Sequence, residues 1–86
     1  MPELSRFYGV IIGMYYDDHP PPHFHVQYGE HKAKIQIDTL AVIRGWLPGR
    51  ALGLVVEWAL LHRQELLDRW HAAENHEELL WIEPLP

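Results

Sequence analysis

The residues best able to do chemistry lie in one stretch, Asp17-Asp18-His19-Pro20-Pro21-Pro22-His23-Phe24-His25-Val26-Gln27-Tyr28-Gly29-Glu30. Three prolines give it a stiff, extended entry, because each locks φ and removes a backbone donor. A strand is expected to start at His23. Side chains in a strand alternate between faces, so His23 and His25 point one way and Phe24 the other. Two co-facing imidazoles can ligate a divalent transition metal when a carboxylate or a third imidazole completes the set. On spacing, the candidate ligands are His23, His25 and Glu30.

The expected hairpin partner changes that chemistry. A turn at Gly29-Glu30 sets Gln27 opposite Lys32, Val26 opposite Ala33, His25 opposite Lys34, Phe24 opposite Ile35 and His23 opposite Gln36. An ammonium beside His25 repels a divalent cation. It favours an anion, for which His23, His25, Lys32 and Lys34 are donors. Two imidazoles beside a lysine can also perform general acid–base catalysis on a phosphodiester, one taking a proton and the other giving one. His23, His25 and Lys34 are the candidate catalytic set for such ribonuclease-like cleavage. The same pattern also describes an ordinary solvated strand face with no cofactor. Asp17, Asp18 and His19 read as a polar loop with side-chain-to-backbone turns.

The elements that must carry these residues follow from periodicity. Phe7 to Tyr16 is β-branched and aromatic, apolar on both faces, and reads as a central strand. Its Gly9 and Gly13 share a face and mark either a close approach by the helix or a bulge. Residues 23–28 and 32–37 pair as the hairpin, with Phe24, Val26, Ala33 and Ile35 facing the core. A one-residue slip would bury the whole polar set, so the pattern specifies the register. A short fourth strand is expected around Leu40 to Arg44. Pro48 suits a helix start, and the helix runs to about Asn75. Leu52, Val55, Val56, Ala59, Leu66, Leu67 and Trp70 form its core stripe at i, i+3, i+4 spacing. Arg63 falls inside that stripe and marks a snorkelling side chain or a bend. Leu54, Trp58 and Leu61 form a second stripe that either contacts another part of the chain or is a candidate partner-binding surface. Trp58 and His62 are i, i+4 neighbours that can stack. The apolar tail Leu79-Leu80-Trp81-Ile82 is expected to pack over the helix or extend a sheet edge.

The expected fold class is therefore α+β. It consists of a β-meander of three to four strands, one long C-terminal helix and an apolar tail, as a single domain over residues 1–86. With no cysteine, disulfide frameworks, thiolate nucleophiles and cysteine zinc sites are excluded. No apolar run approaches membrane-spanning length and no leader pattern opens the chain, so a cytoplasmic protein is expected. A net charge of −5 argues against indiscriminate nucleic-acid binding. The charge is uneven. Residues 31–50 carry Lys32, Lys34, Arg44 and Arg50 against Asp38, whereas from Glu57 onward seven acids face Arg63 and Arg69.

Ser5-Arg6-Phe7-Tyr8-Gly9-Val10, Met14-Tyr15, Asp18-His19, Pro21-Pro22-His23-Phe24-His25-Val26, Tyr28-Gly29-Glu30, Glu57-Trp58 and His62-Arg63 together resemble a bacterial family, domain of unknown function 4160. Its genes tend to lie beside those of another small domain of unknown function, 2442, and such pairs have been read as toxin–antitoxin modules. The resemblance implies a toxin-like role with a small cognate antitoxin-like protein as partner. Open sheet edges and the spare helical stripe add a homodimer as an alternative, and RNA is the partner that the cleavage chemistry would require.

Overall fold

The computed structural model describes residues 1–86. Five strands, β1 (Glu3–Phe7), β2 (Val10–Gly13), β3 (His23–Tyr28), β4 (His31–Gln36) and β5 (Val42–Gly45), precede one helix, α1 (Gly49–Glu74). The strands form one antiparallel sheet in chain order. The α+β class and the long C-terminal helix match expectation; the strand count is higher by at least one.

The extra strand comes from a turn hidden in the aromatic run. Tyr8 and Gly9 have φ of 47° and 84°, and Phe7 pairs directly with Val10. Two successive residues at positive φ make the two-residue hairpin whose twist suits flanking strands. Tyrosine seldom adopts that conformation, so its β propensity masked the turn. The expected Phe7–Tyr16 strand is thus two pieces: β1 ends at Phe7, and β2 ends at Gly13. Gly13 has no side chain on the sheet surface, and Met1 fills the space, so a β-carbon there would meet the Met1 side chain at 2.5 Å.

The β3–β4 register is the expected one at all five pairs, and Tyr28 opposite His31 closes it with the two-residue turn Gly29-Glu30. Gly29 has φ of 58°. β5 starts two residues later than expected, because Leu40 turns the chain at φ of 59°.

One sheet face supplies Leu4, Val10, Ile12, Phe24, Val26 and Ile35 to the core, and α1 supplies Val55, Trp58, Ala59, Leu66 and Trp70. Within the expected core stripe, Val55, Ala59, Leu66 and Trp70 are buried, while Leu52, Val56 and Leu67 are half-buried. Pro48 stands just before the helix as its N-cap. The backbone leaves helical geometry at His62, next to Arg63, whose Nε–H donates to the Ile37 carbonyl at 3.1 Å.

Trp58 corrects the second stripe. It is fully buried, with Phe7 and Phe24 ring centroids at 5.4 and 6.2 Å, and its indole N–H donates to the Glu83 carbonyl at 2.9 Å. The covering element is the C-terminal tail. Ile82 is buried and its N–H donates to the Leu4 carbonyl in β1 at 2.7 Å, while Arg69 Nε–H donates to Leu80. A tail with one hydrogen bond to β1 and two from α1 closes over Trp58. Of the expected partner surface, Leu54 is half-buried and Leu61 is 66% exposed. No helix is long and apolar enough to cross a membrane.

Two tryptophans separate core from surface. Trp58→Ala is expected to lower unfolding stability by about 3–5 kcal/mol through cavity formation and loss of the tail contact. Trp46→Ala, at a 62% exposed position, should change it by less than about 0.5 kcal/mol. Urea unfolding of both variants checks this, and equal losses would contradict the packing described.

Candidate metal centre

Parity brings the two histidines together as expected, but they do not lie on an open face. His23 is 2% exposed and its ring stands 5.2 Å from that of Trp70. His25 is half-buried, with Tyr15 edge-on at 4.7 Å. The expected donor surface is corrected accordingly: His23 is sealed in, and His25 and Lys34 border a hollow instead of standing free.

The group that gathers them is Asp18. Its Oδ2 lies 2.9 Å from His23 Nε2 and 2.9 Å from His25 Nε2. Its Oδ1 accepts the backbone N–H of His19 at 2.9 Å, the side-chain turn expected of this loop. The other His23 nitrogen, Nδ1, lies 2.7 Å from the Pro21 carbonyl. A carbonyl can only accept, so Nδ1 carries a proton; Nε2 donates to the carboxylate when it too is protonated, and when it is not it presents a lone pair that a cation can take. The entry to β3 is not uniformly extended, since the Pro20–Pro21 peptide is cis.

The ligand atoms of Asp18, His23 and His25 all lie within 4.8 Å of one another. Neighbouring ligands on a metal with bonds of ~2.1 Å stand about 3 Å apart, close to the two Asp18–His distances. Closing both imidazoles on one cation is an adjustment on the order of 1 Å, within the reach of side chains. The fixed Nδ1–H of His23 is what a metal-bound histidine shows: its second nitrogen donates to a backbone carbonyl, which sets the ring and directs Nε2 at the ion. Glu30 is not part of the cluster. It lies exposed in the β3–β4 turn, at the other end of the strand from His23. Asp18 takes the place proposed for it.

Burial works against the charged form of Asp18. The hydrogen bond from His25, the His19 N–H and the charge and hydrogen bond of His23 outweigh it and hold the carboxyl at about 2, below its ordinary 3.8. Burial also lowers the pKa of His25; its bond to Asp18 opposes this, and the nearby charges of His23 and Lys34 add to it. A carboxylate and a neutral imidazole are the forms that bind a metal.

Lys34 lies where register required, opposite His25, and the next strand continues the row with Arg44 opposite Lys34. Arg44 was not singled out in the sequence, because the bulge between Lys34 and Ile35 shifts the β4–β5 register. Asp18 was passed over because nothing in a strand pattern locates a loop side chain. Its available signal was its carboxylate five and seven residues before two co-facing imidazoles. Elsewhere, the Trp58 and His62 rings do meet, with centroids 5.3 Å apart, but tilted by 37° and not stacked, and His62 Nδ1–H donates to Glu65.

Fold and site together define a small α+β protein with two imidazoles and one carboxylate converging on a partly sealed point. The chain belongs to the family Domain of unknown function (DUF4160), whose model matches residues 9–71, from the β1–β2 turn into the last turns of α1. Neither a curated protein nor a solved structure matches it.

The depressed Asp18 pKa has a signed consequence. In metal-free protein its contribution to stability is fully present above pH 4 and is lost as pH falls through about 2. Wild type and Asp18→Asn should therefore differ most in urea midpoint near neutrality and converge in that acid window. A difference unchanged down to pH 2 would remove the carboxylate from the balance.

Proposed function

We propose that this protein binds a divalent transition metal through Asp18, His23 and His25, and that its activity is exercised at that ion. The observation that carries the reading is the convergence of both Nε2 atoms on one Asp18 oxygen while the Pro21 carbonyl fixes the far nitrogen of His23. A solvated strand face does not call for a buried imidazole held at both ends. Two-imidazole acid–base cleavage calls for two accessible rings able to act on one phosphate from different positions. His23 is closed off and both rings address the same carboxylate, which favours metal ligation over that scheme.

Three ligands leave coordination positions for water or substrate, the arrangement of a working site rather than a structural one. Lys34, which argued against a cation in sequence, fits this reading as a counter-charge for an anion on the metal.

A second reading, a toxin-like role through a small cognate protein partner, is favoured by a groove of about 300 Å³ lined by Tyr8, Leu54, Glu57, Leu61 and Leu85. In that reading Leu61→Asp blocks capture of the partner and leaves metal content unchanged.

The metal reading is tested by elemental analysis and by Co²⁺ titration followed in the visible spectrum. About one equivalent per chain is expected. His23→Ala and Asp18→Ala should each weaken binding by at least the 10–100-fold seen when a ligand's outer partner is lost. Glu30→Gln should bind as wild type does. Absence of a d–d spectrum at saturating Co²⁺, or full retention by both alanine variants, would overturn the assignment.

A further inference from the structure

Two hollows open beside the cluster. The smaller, about 200 Å³, is lined by the metal-ligand candidates Asp18 and His23 together with His19, Lys34 and Arg44. The larger, about 480 Å³, is lined by His25, Tyr15, Gln27, Lys32 and again Lys34 and Arg44. Lys34 and Arg44 border both, so they stand at the seam between the metal side and the larger hollow. Neither cation is engaged in an ion pair within the chain. Asp18 is the only acid lining either hollow, and its charge is already shared by two imidazoles. A chain with net charge −5 thus keeps three unpaired cations, Lys32, Lys34 and Arg44, on one stretch of sheet surface.

We infer that this seam holds the phosphate of a phosphate ester of nucleotide size. The phosphate sits between Lys34 and Arg44 with one oxygen on the metal, and the rest of the molecule lies in the larger hollow. The inference rests on the metal reading for the third phosphate contact. A guanidinium presents paired N–H donors that match phosphate oxygens, and a lysine adds a point charge. The larger hollow has the size of a small-ligand site. Its wall carries a half-exposed tyrosine ring, Tyr15, and the polar side chain of Gln27, which offer a flat apolar surface and hydrogen bonds to a base or sugar. A bare inorganic anion would leave that hollow unused.

The test uses the full chain loaded with Co²⁺ and titrated by calorimetry with adenosine monophosphate, inorganic phosphate and adenosine. The monophosphate should bind at least ten-fold more tightly than phosphate, and adenosine should not bind measurably. Lys34→Ala and Arg44→Ala should each weaken monophosphate binding about ten-fold while the Co²⁺ spectrum stays as in wild type. Removing Co²⁺ should weaken it by a similar factor. Equal affinity for phosphate and monophosphate, or binding indifferent to both substitutions or to Co²⁺, overturns the inference while leaving the metal assignment standing. Failure of the metal assignment shows separately, as a missing Co²⁺ spectrum.

Discussion

One carboxylate oxygen shared by two imidazoles fastens the loop between β2 and β3 to the sheet. Asp18 Oδ2 binds both rings, Oδ1 binds the chain at His19, and His23 returns a bond to Pro21. Without that closure a buried imidazole would leave polar nitrogens unsatisfied, at a cost comparable to a lost hydrogen bond or more. With it, the loop becomes a fixed wall of the site. A second anchor lies beyond it, where Tyr16 O–H donates to the Glu77 carbonyl and Asp17 meets His76 at 2.9 Å. The start of the loop is thus tied to the end of the helix, and its acidic middle to the sheet.

The sheet divides labour by parity. Phe24, Val26, Ala33 and Ile35 are buried, and His23, His25, Gln27, Lys32, Lys34 and Gln36 take the opposite side chain direction. That side is not uniform. At its β3 entry His23 is sealed beside Trp70, and towards the Gly29 turn the cations border open hollows. The proposed combination of metal ligation and anion capture on a single face rests on this gradient from sealed imidazole to exposed cation along one short ribbon.

Much of this was legible in the residues themselves. Strict alternation on both arms made the β3–β4 register unique, because any slip exchanges core for surface. The long helix followed from its period, and the break at His62 fell beside the one charged residue in its stripe. What failed had a common cause: contacts between elements or loops that no single element's period describes. Trp58 looked like part of a candidate partner surface because helical periodicity, even with a tail expected over the helix, does not say which stripe the tail covers or that it hydrogen-bonds the indole. His23 looked exposed because strand parity gives direction and not cover. Asp18 looked like loop filler because loops have no period. The Tyr8-Gly9 turn was hidden for a different reason, a residue of high β propensity held at a conformation it seldom adopts.

Strand order equal to chain order has a kinetic meaning. Every strand pairs with its sequence neighbour, so the meander can zip from hairpin to hairpin with short loop closures. The site shares that locality, since Asp18 reaches partners five and seven residues ahead. The distant closures, Ile82 on Leu4 and Glu83 on Trp58, belong to the tail. A nascent or partly opened chain whose tail has not docked therefore already contains all three proposed ligand groups within one contiguous octapeptide, and on the metal reading ion capture can guide assembly of the ribbon instead of waiting for it.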